Sequence, residues 1–121
     1  MAALSSPELA AAVSEAGALG MVSLGGFPPE KVTQELQMVK KRTTHPFGAN
    51  FLIPIIRSEK VSESLEYRDL DESVRAASKI ARLVEFFYRD PDPSLVKIVH
   101  SEGALAGWQV GSTGRPASVL H

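Results

Sequence analysis

The chain has 121 residues, which is enough for one domain, and 44% apolar, 22% charged and 7% aromatic residues are the fractions of an ordinary globular protein. Its net charge is -1, and its acidic and basic residues are interspersed. The chain therefore has no electrostatic footprint for nucleic acid or an anionic membrane. The lack of cysteine excludes disulfides and cysteine-bound metals. No Lys or Arg precedes Lys31, which argues against a signal peptide. We therefore predict a soluble, cytoplasmic protein.

Helices and strands are predicted to alternate along the whole chain. In chain order we expect a helix at 7–16, a strand at 19–24, a helix at 29–41, a strand at 47–56, a helix at 71–82, a strand at 83–88, a helix at 92–103 and a strand at 104–110. The strands are short and mostly apolar, as in a sheet that is buried on both faces. Alternation of this kind indicates βαβ units and a mainly parallel sheet.

The helix ends carry the clearest local signals. Ser6 and Pro7 suit a helix start, because serine caps the first turn and proline there gives up no needed N–H. Gly17 suits the left-handed position that ends a helix. The same order of cap, proline, core contacts, stop glycine and strand entry returns over 92–105. This internal repeat favours a fold that is built from repeated βα units.

Both ends of the chain are expected to be cut from something larger. Residues 1–4 leave almost no room for a strand before the first helix, and 111–121 contain glycine and proline breakers with no helix to cover the last strand. Four strands would leave open sheet edges. We predict that 1–112 form part of a larger sheet, with 113–121 an irregular, non-native tail and 57–69 a loop.

Three segments carry motifs that a known family shares. They are 6–20 (SPELAAAVSEAGALG), 46–52 (PFGANFL) and 84–95 (VEFFYRDPDPSL), the last followed by 109–112 (QVGS). Together, in this order and spacing, they resemble the opening portion of nitronate monooxygenases, formerly called 2-nitropropane dioxygenases. Within the second motif, alanine and phenylalanine stand where the family often has valine and leucine.

The resemblance implies a partial (β/α)8 TIM barrel with its first strand largely missing, since a complete barrel needs about 250 residues. It implies FMN as the cofactor and oxidation of alkyl nitronates by O2. The family's glycine-rich phosphate site and catalytic histidine lie in later strands, so the isolated chain is expected to be inactive. Flavin-type enoyl-acyl-carrier-protein reductases are similar over the same segments and remain an alternative, as does a non-catalytic remnant.

The resemblance assigns cofactor contacts to Met1, Ala2, Asn50 and Gln109. Asn50 interrupts an apolar strand, where an unpaired amide costs about 1–3 kcal/mol. It would contact the flavin, as the family's matching asparagine does, or bond to a neighbouring loop. Gln109 lies near the end of the last strand, where barrel sites collect polar groups, or is an ordinary polar strand end. Met1 and Ala2 would offer backbone atoms only if the missing strand positioned them.

The three histidines are not predicted to be catalytic. His45 precedes a proline in a loop, His100 lies on the polar side of a helix, and His121 is the last residue. None of them matches the family's catalytic histidine, and no two have the spacing of metal ligands. The sequence therefore predicts no catalytic residue and no metal site in this chain, and it leaves the oligomeric state open.

Overall fold

A computed structural model describes residues 6–52, 70–87 and 92–109. The elements are α1 (Pro7–Glu15), β1 (Gly20–Ser23), α2 (Pro29–Arg42), β2 (Phe47–Leu52), α3 (Leu70–Ser78), β3 (Leu83–Phe87), α4 (Pro93–Ser101) and β4 (Leu105–Trp108). Helices and strands alternate, as predicted. None of the helices in these ranges is long and apolar enough to cross a membrane.

The four strands form one parallel sheet in the order β1-β2-β3-β4. Each helix contacts the next helix along the chain, so the helices form a single layer against one face of the sheet. Sequential parallel strands with the helices on one side are the arrangement of an α/β barrel wall. The predicted fold class, a partial barrel of parallel strands and alternating helices, is confirmed.

The hydrophobic core lies between the sheet and the helix layer. Every second strand residue points into it, so Val22, Ala49 and Val84 form one buried row. The next row places Phe51 and Phe86 with ring centroids 6.1 Å apart. The helices complete this core with buried aliphatic side chains, which are Val32, Leu36, Val39, Val74, Ala77, Leu95 and Val99.

The repeated helix-end chemistry is present in the structure. Ser6 and Asp92 are the N-caps of α1 and α4, and their side chains accept hydrogen bonds from backbone N–H groups of the first turn at 3.1 and 2.9 Å. Gly17 and Gly103 follow the same two helices with φ of 98° and 87°. These angles lie in the left-handed region, which glycine adopts without steric penalty.

The third predicted helix is shorter than expected. We predicted 71–82, but α3 ends at Ser78. The next residues make a turn in which the N–H groups of Ile80 and Ala81 both donate to the carbonyl of Ala77. The N–H of Arg82 already donates to the carbonyl of Phe47 on β2. Sheet pairing therefore takes over before the helix can continue. The predicted loop at 57–69 and tail at 113–121 lie outside the described residues.

A buried serine joins α1 to the sheet. The Ser14 hydroxyl donates to the carbonyl of Pro46 at 2.8 Å and accepts from the N–H of Gly20 at 3.0 Å. It thereby satisfies the backbone at the start of β1 and just before β2. Gly20 itself lies against α1 so closely that a Cβ at this position would clash with the backbone of Ala10.

Candidate functional site

The sheet has a second face, turned away from the helices, which we call the inner face. Side chains along a strand alternate between the two faces. One row of register partners on the inner face consists of Ser23, Asn50, Glu85 and Gly107, one from each strand. A row of three polar residues and a glycine contrasts with the apolar rows against the helices.

Three side chains of adjacent strands meet on the inner face. The Asn50 side-chain NH2 donates to Glu85 Oε1 at 2.9 Å, and the Gln109 NH2 donates to the same oxygen at 2.6 Å. Asn50 and Glu85 are half-buried, whereas Gln109 is exposed. We call these three residues the amide–carboxylate cluster. One carboxylate oxygen thus links β2 to the end of β4 across β3.

The local sequence explains why these side chains can meet. In β3, Val84 and Phe86 point into the core, which places Glu85 between them on the inner face. Gly107 is the partner of Glu85 on β4 and has no side chain, so it leaves the space beside the carboxylate free. The Gln109 N–H continues the ladder by donating to the Phe86 carbonyl at 2.9 Å. Gln109 is thereby held one step beyond β4, beside β3.

The cluster lies toward the carboxyl ends of the strands. Asn50 and Glu85 are each two residues before the last residue of their strand, and Gln109 follows β4 directly. In α/β barrels the binding and catalytic groups gather at this end, and residues at the other end serve stability. The cluster therefore occupies the part of the sheet where a barrel site is expected.

A depression lies at the opposite end of the sheet from the cluster. It has a volume of about 750 Å³, and its lining includes Lys40, His45, Lys79 and Arg82. These residues stand near the carboxyl ends of α2 and α3, where cations complement the helix dipole. Because it opens at the amino ends of the strands, we assign this depression a structural role and not that of a barrel active site.

The predicted cofactor residues have different outcomes. Asn50 and Gln109 are brought together by their hydrogen bonds to Glu85. The loops that follow β2 and β3 lie outside the described residues, so the alternative interpretation of Asn50 stays a prediction. Met1 and Ala2 lie outside the described residues. Glu85, which joins the other two, was not singled out from the sequence. Its signal was a lone carboxylate in an apolar strand, since a charge in that setting needs a partner.

The two histidines in the described part of the chain, His45 and His100, take no part in the cluster. His45 Nε2 lies 3.9 Å from Glu15 Oε2 at the opposite depression, and His100 is exposed on α4. His121 lies outside the described residues. Within 6–52, 70–87 and 92–109, no three His, Asp or Glu side chains are grouped as metal ligands would be.

Solved structures with the same architecture define the class of protein. FabK from Thermotoga maritima superimposes with a TM-score of 0.72 at 28% identity, over 93% of this chain and 32% of that protein. Nitroalkane oxidase from Streptomyces ansochromogenes gives a TM-score of 0.71 over 86% of this chain and 36% of that protein, and its 23% identity supports likeness of fold alone. The chain is thus a segment of the α/β barrel type.

The family is shown by the sequence match. Residues 1–106 match the model of the nitronate monooxygenase family, and the chain belongs to this family. A probable nitronate monooxygenase of Staphylococcus haemolyticus is 43% identical over 54 residues, which are 45% of this chain and 15% of that relative. One of Staphylococcus aureus is 33% identical over 63 residues, which are 52% of this chain and 18% of the relative. The matched parts are thus a small share of these relatives.

Proposed function

We propose that this chain supplies part of the FMN site of an enzyme that oxidises alkyl nitronates with O2. The observation that carries the proposal is the amide–carboxylate cluster, which lies at the carboxyl end of the sheet in a chain of the nitronate monooxygenase family. FMN, when bound, supplies the acceptor for the substrate's electrons and passes them to O2. The residues of this chain bind and orient.

The chemistry of the cluster fits the flavin ring better than the flavin phosphate. Each side-chain amide has two N–H donors and a carbonyl acceptor, and the bond to Glu85 uses only one of the donors. With respect to the described residues, Asn50 and Gln109 therefore each retain one N–H donor and a carbonyl acceptor for a ligand. The imide of a flavin ring carries N–H and C=O groups that match this set. The negative charge of Glu85 would repel a phosphate.

We assign no catalytic residue to this chain. The described strands provide half the number that closes a (β/α)8 barrel. The remaining wall would have to hold the phosphate and supply any residue that acts on the substrate. We therefore propose that the 121-residue chain alone does not turn over nitronate and binds FMN weakly or not at all.

The cofactor proposal is tested in an enzyme with a complete barrel. Residues 1–109, which cover the family match and include Gln109, would replace the corresponding segment of the Staphylococcus haemolyticus relative. The purified chimaera would be titrated with FMN while flavin fluorescence is followed. We expect Asn50→Ala to weaken FMN binding by about tenfold, because it removes contacts to a buried polar group. The exposed Gln34→Ala on α2 is the matched control and should leave the affinity unchanged. Equal affinities for the Asn50 and Gln34 variants would contradict the proposal.

The reaction is tested with the same chimaera. We expect O2 consumption with an alkyl nitronate, and none with the 121-residue chain alone. Oxidation of NAD(P)H with an enoyl thioester, without any O2 consumption on nitronate, would instead support the enoyl-acyl-carrier-protein reductase alternative and refute the proposed reaction.

A further inference from the structure

We propose that Glu85 is a positioning residue that fixes the direction in which the side-chain amides of Asn50 and Gln109 point. This inference rests on the proposed function, because the oriented amides matter only where a ligand binds them. It goes further, since it assigns a role to a residue that does not itself need to touch the ligand. The role follows from the kind of hydrogen bonds that Glu85 makes.

The orientation follows from the chemistry of the carboxylate. An ionised carboxylate accepts hydrogen bonds but donates none, whereas a side-chain amide has a donor end and an acceptor end. Both amides must therefore turn their NH2 ends toward Glu85, as the distances of 2.9 and 2.6 Å from Asn50 and Gln109 show. Bonds of this kind are charge-assisted and stronger than bonds between neutral groups. A flipped amide would place its carbonyl oxygen against the carboxylate and be repelled.

The fixed orientation determines which ligand groups the site accepts. With their NH2 ends held by Glu85, the carbonyl oxygens of Asn50 and Gln109 are turned away from the carboxylate. These oxygens accept hydrogen bonds, so a ligand group that lies opposite them must carry an N–H or O–H, while the second N–H of each amide can donate to a neighbouring ligand carbonyl. On a flavin, the imide N–H is such a group. A ligand that offers only acceptors in the same place would meet two oxygens.

The surroundings of Glu85 support a positioning role over a packing role. Its register partners on β2 and β4 are Asn50 and Gly107, so no large apolar side chain packs beside it in that row. Within the described residues, its carboxylate bonds to the two amides and forms no ion pair with Lys or Arg. Among these residues, the oriented amide dipoles of Asn50 and Gln109 are the groups that face the negative charge of Glu85.

The orientation can be measured without a ligand. In the 121-residue chain labelled with ¹⁵N, the two protons of each amide in the cluster should differ widely in chemical shift, because only one of them is bonded to a carboxylate. Glu85→Gln should reduce this difference to that of the exposed Gln34 and Gln37, since a glutamine at 85 can donate or accept and no longer dictates a direction. The half-buried Glu35→Gln on α2 removes the same charge without touching the cluster and should change nothing.

The ligand consequence is measured in the chimaera that carries residues 1–109. We expect Glu85→Gln to weaken FMN binding by about tenfold and to alter the visible spectrum of the bound flavin, whereas Glu85→Asp retains an acceptor-only carboxylate and should recover part of both. An FMN analogue methylated at the imide nitrogen should bind the parent protein less well than FMN. The Glu85→Gln variant should bind the analogue and FMN with similar affinity.

The two proposals fail in different ways. If no variant and no parent protein binds FMN, the proposed function is wrong, and the amide shifts still decide whether Glu85 orients Asn50 and Gln109. If FMN binds but Glu85→Gln matches Glu35→Gln in both amide shifts and FMN affinity, the positioning role is overturned. Both proposals would be supported if Glu85→Gln lowers the shift difference between the two protons of each amide and also weakens FMN binding about tenfold.

Discussion

Replacing Ser14 with alanine tests how α1 is attached to the sheet. The side chain is 1% exposed, and its hydroxyl bonds to both the Pro46 carbonyl and the Gly20 N–H. Alanine would leave both backbone groups without these bonds, and each unsatisfied buried group costs about 1–3 kcal/mol. Because Pro46 is exposed, water can partly replace the bond to its carbonyl. We therefore expect Ser14→Ala to lower the free energy of unfolding by roughly 3 kcal/mol.

Urea denaturation followed by circular dichroism measures this effect. With a denaturant slope of about 1–3 kcal/mol per molar urea, the midpoint should fall by about 1–3 M at an unchanged slope. Ser78→Ala is the matched control, because Ser78 is 3% exposed and its hydroxyl donates to Val74 within the same helix at 2.7 Å. That carbonyl keeps its helical bond, so we expect a change within about 0.5 kcal/mol. Equal effects of the two substitutions would refute the reasoning.

Three further substitutions test the helix ends and the close contact between α1 and β1. Gly20→Ala would drive a Cβ into the backbone of Ala10, so we expect a loss of about 3 kcal/mol in urea denaturation or failure to fold. Gly107→Ala is the control, because the nearest neighbour of its Cβ would be 3.5 Å away, and it should have a mild effect in the same assay. Gly103→Ala places a Cβ at a φ of 87° and should lower stability by about 1 kcal/mol in urea. Asp92→Ala removes the N-cap of α4 and should lower the free energy of unfolding by about 1 kcal/mol; an unchanged urea midpoint would count against that cap.

Local chemistry explains which parts of the fold were predictable. The cap at Ser6 and the stop at Gly17 depend on neighbouring residues only, so the sequence contains their cause and α1 was placed within a residue or two. The end of α3 depends on Arg82, whose N–H bonds to Phe47, which is distant in sequence. Helical periodicity carries no information about that bond, so the helix was predicted to run to residue 82.

The same distinction applies to the candidate site. Asn50 stood out because an amide in an apolar strand needs a partner, and the family motif supported its selection. The partner itself was not predictable, since the contact between Asn50 and Glu85 requires the register of β2 against β3. Gln109 was selected from its position near a strand end, and its contact with Glu85 likewise depends on how β4 is aligned with β3.

Adjacent rows on the inner face differ in polarity. The row nearer the amino ends is a packing layer of the kind that fills a barrel interior, with three large apolar side chains and a glycine, namely Met21, Gly48, Leu83 and Leu105. The next inner-face row holds Ser23, Asn50, Glu85 and Gly107. Stability alone would favour a second apolar layer there, because buried polar groups are at best compensated by their hydrogen bonds. The inner face thus changes from an apolar row to a polar row toward the end where barrels bind their ligands. A binding site requires such polar groups, whereas a packing layer does not.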